Sequence, residues 1–452
     1  MRHPSQILLT FCIAFLGGIF IWQINLEIFY QITILFGSLI LTTLIFKNKL
    51  CLVFLITIIV GIVFSYFRFQ EQNEFLQAVK SALTLEEQTI IVQIVKDPAK
   101  YLDKNKIVTA WQKNKNIKIQ LTTPLYPQYE YGQILEVTGN FQAASSHLES
   151  YQNYLYSHDI FYEIFYPEIK VLNQQNNWLT PFFKIKNNFK EQINKLFSEP
   201  EAAFLQGLLL GEKNSFPKEL LDKFNITGMT HIVALSGYNI TIIASFFAVL
   251  ISGYIKKNKV MVITILGILV FIFITGLDSS VVRAAIMGTL VLLAKNMGRR
   301  STSYNTLALA AVIMVWLQPM ILIYDIGFQL SFLATMGILM FSKKLDLKLK
   351  RLTNTFAIRE SAVMSLSAQI LVVPIILINF GNISLISPIA NILLLAVLPI
   401  IMLTGFLATL FSFIFFPAGL VLSVLPLGFL QYEIMAITLL AKIPWASLKL
   451  NL

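Results

Sequence analysis

Apolar residues gather into long unbroken runs at both ends of the chain and alternate with polar ones in between. Three runs open the sequence, Ile7–Trp22, Ile28–Phe46 and Leu50–Phe67, each near the roughly 20 residues that a spanning helix needs. Arg2 ahead of the first run resembles a secretory leader, but no small-x-small cleavage site follows. That run therefore reads as an anchor. From about Gln70 to Thr180 the pattern changes to short β-branched or aromatic segments bounded by turn residues: Thr89–Val95, Ile107–Trp111, Ile117–Thr123, Ile134–Phe141 and Phe161–Val171. Five such strands predict a small barrel of the oligonucleotide/oligosaccharide-binding (OB) type, with a sandwich fragment as the alternative.

Between Pro181 and Met229 the stretches are charged and moderately apolar. Phe182, Ile185, Phe189, Ile193 and Phe197 fall near helical spacing with Lys184, Lys186, Lys190 and Lys195 between them. This predicts an amphipathic helix, at a membrane surface or packed on the barrel. Eight more apolar runs follow: His231–Tyr254, Val260–Gly276, Ser279–Asn296, Tyr304–Leu317, Ile321–Phe341, Ser361–Phe380, Leu385–Phe415 and Gly419–Ala441. Leu385–Phe415 is too long for one straight span and contains Pro399, which suggests two broken halves. The expected class is a polytopic α-helical membrane protein of about 11 spans with an inserted OB-like β-barrel. The segments are 1–68 (three spans), 69–180 (barrel), 181–230 (amphipathic or interfacial helices) and 231–452 (polytopic part).

Composition agrees, with 56% hydrophobic and 13% charged residues among 452. Ordinary globular domains hold roughly 45–50% and 25%. The two cysteines, Cys12 and Cys51, lie in apolar runs, and the four histidines are scattered without HxH or HExxH spacing. Neither a disulfide framework nor a zinc site is expected, and no cofactor. The net charge is +11, and its location decides what it means. Lys47 and Lys49, then Lys256, Lys257 and Lys259, then Lys295, Arg299 and Arg300, then Lys343, Lys344, Lys348, Lys350 and Arg351 follow alternate spans. They account for about the whole excess and fall on one face if the amino terminus is cytoplasmic. The barrel then lies outside the cytoplasm. With 10 basic and 12 acidic residues over Arg68–Lys170, it exerts no net pull on a polyanion.

Polar groups within apolar spans are costly unless partnered, so they mark cavities or pathways. His231, Ser236 and Asn239 enter one run together around Gly237; the alternative is interfacial placement and bonding to neighbouring helices. Asp278 and Arg283 lead into another run. Asp278 is also placed to cap that helix, whereas Arg283 sits about one turn deeper and calls for a carboxylate, a phosphate or water. Asp325 and Gln329 share a helix face at i, i+4, although Asp325 is equally placed to serve as counter-ion of Arg283. Gln369 and Pro374, then Asn382, Ser384, Pro388 and Asn391, suggest broken helices facing a wet space. Glu433 is a lone carboxylate in the last run. In the barrel, Tyr101, Lys104, Lys106, Trp111, Lys113, Lys115 and Lys118 interleave amines with stacking faces. That is the chemistry of single-strand binding, although lysine-rich hairpins are more often solvated edges.

A series of ordered motifs carries a resemblance. These are Gly207-Leu-Leu-Leu-Gly211-Glu-Lys, Thr227-Gly228-Met-Thr-His231-Ile-Val-Ala-Leu-Ser236-Gly237, Val282-Arg283-Ala284, Gly298-Arg299, Gln318-Pro319, Gly327-Phe328-Gln329-Leu330-Ser331-Phe332 and Ala390-Asn391. Together they resemble the competence domain of the ComEC family, inner-membrane channels that admit single-stranded DNA in natural transformation. Tyr131-Gly132, Gly139-Asn140 and Tyr151-Gln-Asn-Tyr-Leu155 echo that family's extracytoplasmic OB-like domain. Tyr238-Asn239 stands where the family usually has Leu-His, so the second histidine has no counterpart. Many members also carry a metallo-β-lactamase-like nuclease domain, whereas this sequence contains no His-x-His-x-Asp-His.

The resemblance implies a plasma-membrane DNA channel that is not an enzyme. Its expected partners are single-stranded DNA, the lipid bilayer, an extracytoplasmic DNA receptor, a separate nuclease and a cytoplasmic ATP-driven motor. The sequence has no phosphate loop of its own, and assembly into a homo-oligomer stays open. His231, Ser236, Asn239, Asp278, Arg283, Asp325, Gln329 and Asn391 are the candidate path residues. From the residues alone, a secondary transporter of a small anionic or polar solute remains the alternative. A membrane enzyme using Asp278, His231 or Asp325 ranks third.

Overall fold

A computed structural model describes residues 3–24, 49–80, 87–101, 104–114, 117–144, 149–175, 177–212, 216–233, 237–277, 279–296, 303–350 and 358–449. The predicted span Ile28–Phe46 lies outside them, as do Ser236, Asp278 and Lys115. In chain order, α1 (His3–Ile24) and α2 (Lys49–Lys80) precede seven strands and a helix. These are β1 (Glu87–Ile94), β2 (Ala99–Tyr101), β3 (Lys104–Trp111), β4 (Lys118–Pro124), β5 (Gln133–Ala143), α3 (Glu149–Ser157), β6 (Ile160–Phe165) and β7 (Glu168–Gln174). Next come α4 (Thr180–Leu196), α5 (Glu201–Leu210), α6 (Lys218–Thr227), α7 (Thr230–Val233), α8 (Gly237–Ser252), α9 (Lys257–Ile274) and α10 (Ser279–Asn296). The last part holds α11 (Ser303–Leu317), α12 (Ile321–Tyr324), α13 (Ile326–Lys348), α14 (Ile358–Phe380), β8 (Asn382–Ser384), α15 (Ser387–Leu394), α16 (Leu398–Ile414), α17 (Phe416–Ala441) and β9 (Ser447–Lys449).

Two compact units divide the chain: Met1–Gln175 with Met297–Phe332, and Asn176–Asn296 with Leu333–Leu452. In the first, five strands close into a ring: β1 on β3, β3 on β4, β4 on β6, β6 on β5 and β5 back on β1. Every pairing is antiparallel except β4 with β6, while β2 and β7 extend the rim. This is the closed five-stranded form of an OB-like barrel. Ile107, Ile119, Leu121, Leu135, Val137 and Ile164 fill its interior, each fully buried. Alternation along β3 and β5 places one face inside, whereas β4 and β6 are buried on both faces. Leu155 of α3 and Ile160 of β6 share a second apolar cluster with Val108 and Tyr151, so α3 covers this part of the ring. The run Phe161–Val171 is two strands in the structure. Tyr166 adopts a left-handed φ of 51°, and Pro167, which lacks an N–H, cannot continue the ladder.

Helix α2 runs well past the apolar run that predicts it. Its polar end carries Phe75, Leu76 and Val79 into the barrel core, and the Tyr162 hydroxyl donates to the Val79 carbonyl at 2.7 Å.

Among the described residues, four helical stretches are long and apolar enough to cross a membrane: Gln6–Gln23, Ile326–Lys348, Arg359–Phe380 and Phe416–Ala441. Helices α15 and α16 make a fifth span if this pair, bent by 46°, is taken as one. Pro399 sits in the first turn of α16, where its missing N–H has no partner to lose. Helices α9, α10 and α11 are apolar but shorter. The outer side of α17 exposes Val421 and Val424 at 72% and 68%, a surface that suits hydrocarbon rather than water. The chain is a membrane protein with an OB-like barrel.

In the second unit, α5, α6, α15, α16 and α17 share one apolar core containing Phe204, Phe224, Leu398, Ile401 and Leu430. The amphipathic helix α4 lies against this core, with Phe189 stacked on Phe406 and Phe182 tilted against Phe273 of α9.

Candidate functional site

The chain breaks at Asp325, which holds an extended φ of −94° and ψ of 96° between α12 and α13. Its Oδ1 accepts the Phe328 N–H at 3.0 Å, capping α13. Gln329, one turn on, donates through Nε2 to the carbonyls of Leu322 at 3.2 Å and Ile323 at 2.7 Å. The predicted i, i+4 pair therefore meets at one break, where Gln329 satisfies carbonyls that the interrupted helix leaves free.

The second unit holds most of the other candidates. Helix α6 ends in a Schellman turn: Gly228 N–H donates to Asn225 O, and Met229 N–H donates to Phe224 O. Gly228 has a φ of 70°, and a Cβ there would lie 2.8 Å from Ser387 Cβ and 2.9 Å from Ser384 Cβ. His231 folds back on this turn, its Nδ1 donating to Gly228 O at 3.1 Å. Ser387 accepts a hydrogen bond from Gln369 Nε2 at 3.1 Å. One turn along α15, buried Asn391 donates to Ser365 Oγ at 2.7 Å. Two polar pairs thus zip α15 to α14, and the glycine turn carrying His231 rests on the same seam.

Asn239, 1% exposed at the start of α8, donates to Leu208 O of α5 at 3.3 Å. Its neighbour Ile240 packs with Ile268 of α9 and with Val281 and Ala285 of α10. Arg283 lies between the last two and is 7% exposed. Standing two positions from each, this buried guanidinium points to the opposite side of the otherwise largely apolar α10. Arg283 falls in the second unit and Asp325 in the first.

In the barrel the lysines divide by environment. Lys104 is exposed, with Nζ 5.2 Å from the centre of the Tyr166 ring. Lys106 lies 5.0 Å from the Tyr151 ring centre and donates to its hydroxyl at 3.1 Å. Tyr151 stacks on Tyr154 at 6.1 Å, and Tyr154, 48% exposed, leans on His158 at 4.5 Å. Tyr151 Oη donates in turn to Glu163 Oε1 at 2.8 Å. Buried Gln120, the register partner of Glu163, donates to both. Burial, together with the Glu163 carboxylate, pushes the Tyr151 phenol well above its ordinary value. Trp111 packs against the barrel core, Lys113 is exposed, and Lys118 pairs with Asp159 at 2.9 Å.

Neither the stacking faces of Tyr154, His158 and Tyr166 nor the Ser365–Asn391 pairing is among the sequence-based expectations. The i, i+4 spacing of Ser365 with Gln369, and of Ser387 with Asn391, is the signal that points to the pairing.

The Gly211-Glu212 motif also finds a place. Gly211 ends α5 with a left-handed φ of 77°, and Glu212 pairs with Lys186 and, at 3.6 Å, with Lys190 of α4. Burial pushes the Glu212 carboxyl up, but the two ammonium groups outweigh it and hold the group below its ordinary range. No group of three or more His, Cys, Asp or Glu able to hold a metal occurs among the described residues.

A family model described as Competence protein matches residues 208–452. Over 287 residues the chain is 25% identical to "ComE operon protein 3" of Bacillus subtilis (strain 168), covering 62% of this chain and 36% of that protein. The chain thus spans little more than a third of this relative's length. No solved structure matches.

Proposed function

Because the chain belongs to the ComEC family of competence proteins, we propose that it conducts single-stranded DNA into the cytoplasm during natural transformation. The observation that carries this reading is the buried Arg283 on the largely apolar helix α10, within the stretch that the family model covers. A polyanion crossing a bilayer needs fixed cations or oriented dipoles to replace phosphate hydration. Arg283, Asn239, Asn391 and His231, with Asp325 and Gln329 at the α12–α13 break, are the assigned path residues, together with Ser236 of the His231 motif and Asp278 ahead of Arg283. The barrel serves as the receiving surface, where Tyr154, His158 and Tyr166 offer faces to bases and Lys104 and Lys113 meet phosphates.

In this reading the protein resides in the inner membrane with its amino terminus cytoplasmic and its barrel outside. It catalyses no reaction. A receptor delivers the duplex, a separate nuclease removes one strand, and a cytoplasmic motor supplies the pull.

The test is internalisation of labelled duplex DNA, scored as label resistant to external nuclease, in cells with the gene deleted and then restored. Loss on deletion, rescue by the wild type and at least a tenfold deficit with Arg283→Ala at equal membrane levels are expected. Undiminished uptake in the deletion strain, with no second channel gene present, overturns the channel. The bent α15–α16 pair would then favour a solute transporter.

A further inference from the structure

The Gln318-Pro319 motif is not explained by the path residues, yet several contacts of the first unit converge on it. Gln318 Nε2 donates to the Ser157 carbonyl at 2.7 Å and to Asp159 Oδ1 at 2.9 Å, at the turn that leads into β6. Asp159 holds a left-handed φ of 58°, a conformation that Asp tolerates better than most residues. The turn thereby presents its carboxylate to both sides, and Lys118 Nζ reaches Oδ2 at 2.9 Å. Next in sequence, the Pro319 carbonyl accepts from Gln23 of α1 at 3.0 Å. The carbonyls of Trp316 and Leu317, which end α11, accept from the Arg68 guanidinium of α2 at 2.7 and 3.1 Å.

We propose that Gln318 and Asp159 form the joint that positions the barrel on the helices of the first unit, next to the α12–α13 break that holds Asp325 and Gln329. The barrel is also held by the end of α2 inserted in its core and by α3, which packs on α12. A helical stalk can bend, so the contacts beside it decide the angle the barrel takes. The hydrogen bonds at the start of β6 fix that angle, and their glutamine stands just ahead of α12. Gln318 is thus a positioning residue: it fixes where a strand held by the barrel meets the broken helix, and touches no strand itself. This role rests on the channel reading, whereas the joint itself does not.

The joint is separable from folding. The barrel core is apolar and complete without it. The Lys118 and Asp159 side chains are 29% and 31% exposed, and an ion pair so exposed adds little to stability.

The experiment uses the full chain in nanodiscs with Cys12 and Cys51 replaced by alanine. Spin labels are placed at Gln112 of the barrel and Ser303 of α11, both exposed, and the distance distribution is read by pulsed electron resonance. A narrow distribution is expected for the parent and for Gln318→Lys, whose ammonium still reaches the carboxylate. It should stay narrow for Asp159→Asn, which keeps Oδ1 as an acceptor. Gln318→Ala should broaden it, and Gln318→Glu, facing a like charge, should broaden it most. Uptake should follow the same order, at least fivefold down for Ala and Glu and restored by Lys. Unchanged widths in the Ala and Glu variants overturn the joint. Broadening without loss of uptake overturns its positioning role. Because the distances are measured without DNA, failure of the channel reading would show separately, as undiminished uptake in the deletion strain.

Discussion

Replacing Gly228 by alanine should damage the second unit out of proportion to one added methyl group. The residue closes the Schellman turn of α6 at a φ of 70°, where a side chain costs roughly 1–2 kcal/mol. The added Cβ would also fall 2.8 Å from Ser387 Cβ and 2.9 Å from Ser384 Cβ. Neither atom is the tip of a flexible chain, so backbone must shift, and overpacking of this kind costs about 1–3 kcal/mol. The two add to roughly 2–5 kcal/mol, which corresponds to about 5–15 °C in an unfolding midpoint for a unit of this size. The assay is the thermal midpoint of the purified protein in detergent, followed by loss of the monodisperse peak. Gly228→Asn should lie between the wild type and Gly228→Ala, because Asn accepts the left-handed conformation but not the contact. Gly253→Ala is the control: a Cβ at that position would meet no atom within 4 Å, and the midpoint should not fall. A wild-type midpoint for Gly228→Ala would refute both the turn geometry and its seating on Ser384 and Ser387.

Glu212→Gln should destabilise the protein by about 3–5 kcal/mol at pH 7, because Lys186 is left buried without its carboxylate. The Glu212 carboxyl titrates below its ordinary range when folded. Its contribution is therefore fully present above the unfolded value of about 4.3 and disappears as the pH falls through the lower folded value. The midpoint gap between wild type and Glu212→Gln should accordingly be constant at neutral pH, begin to narrow as the pH falls below the unfolded value, and go on narrowing as the acid limit is approached. Glu433→Leu should raise the midpoint or leave it unchanged, by about 0–3 kcal/mol, since both carboxylate oxygens are buried without a hydrogen-bond partner; a clear fall would show that the carboxylate has a partner after all. Tyr151→Phe removes the hydroxyl donor that reaches Glu163 beside the Gln120 amide and should cost about 1–3 kcal/mol, read as faster hydrogen exchange in β4 and β6. Equal exchange rates would mean that the network adds nothing to the barrel.

Five strand segments are readable because β-branched and aromatic residues recur with a period of two between turn residues, but their closure is not: the ring is shut by the β1–β5 pairing, which that pattern leaves open. The end of α2 is not readable. Gln70, Glu71, Gln72, Asn73 and Glu74 look like the start of a loop, and only the barrel interior gives Phe75, Leu76 and Val79 a reason to stay helical. Helix α3 escapes for a similar reason: Tyr151, Asn153, Tyr154 and Tyr156 have weak helix propensity, and packing against the β4–β6 side overrides it.

The polar residues inside apolar runs show the same division between what a sequence states and what it withholds. Gln369, Asn391, Asp325 and Gln329 stand out because hydrocarbon cannot satisfy them. That argument says that each needs a partner, and says nothing of which. In the structure Gln329 finds carbonyls six and seven residues behind it, a partner that exists only because the chain breaks at Asp325. Gln369 and Asn391 find serines on a neighbouring helix, where serine alone would draw no notice. Arg283 is set apart by chemistry: a guanidinium presents five donors in a fixed fork and keeps its charge at any physiological pH. Neutral pairs such as Asn391 with Ser365 can hold a seam shut, but only a retained positive charge attracts successive phosphates as they pass. If the proposed channel reading holds, substitution at Arg283 should therefore impair uptake, whereas substitution at Ser365 should loosen helix packing first.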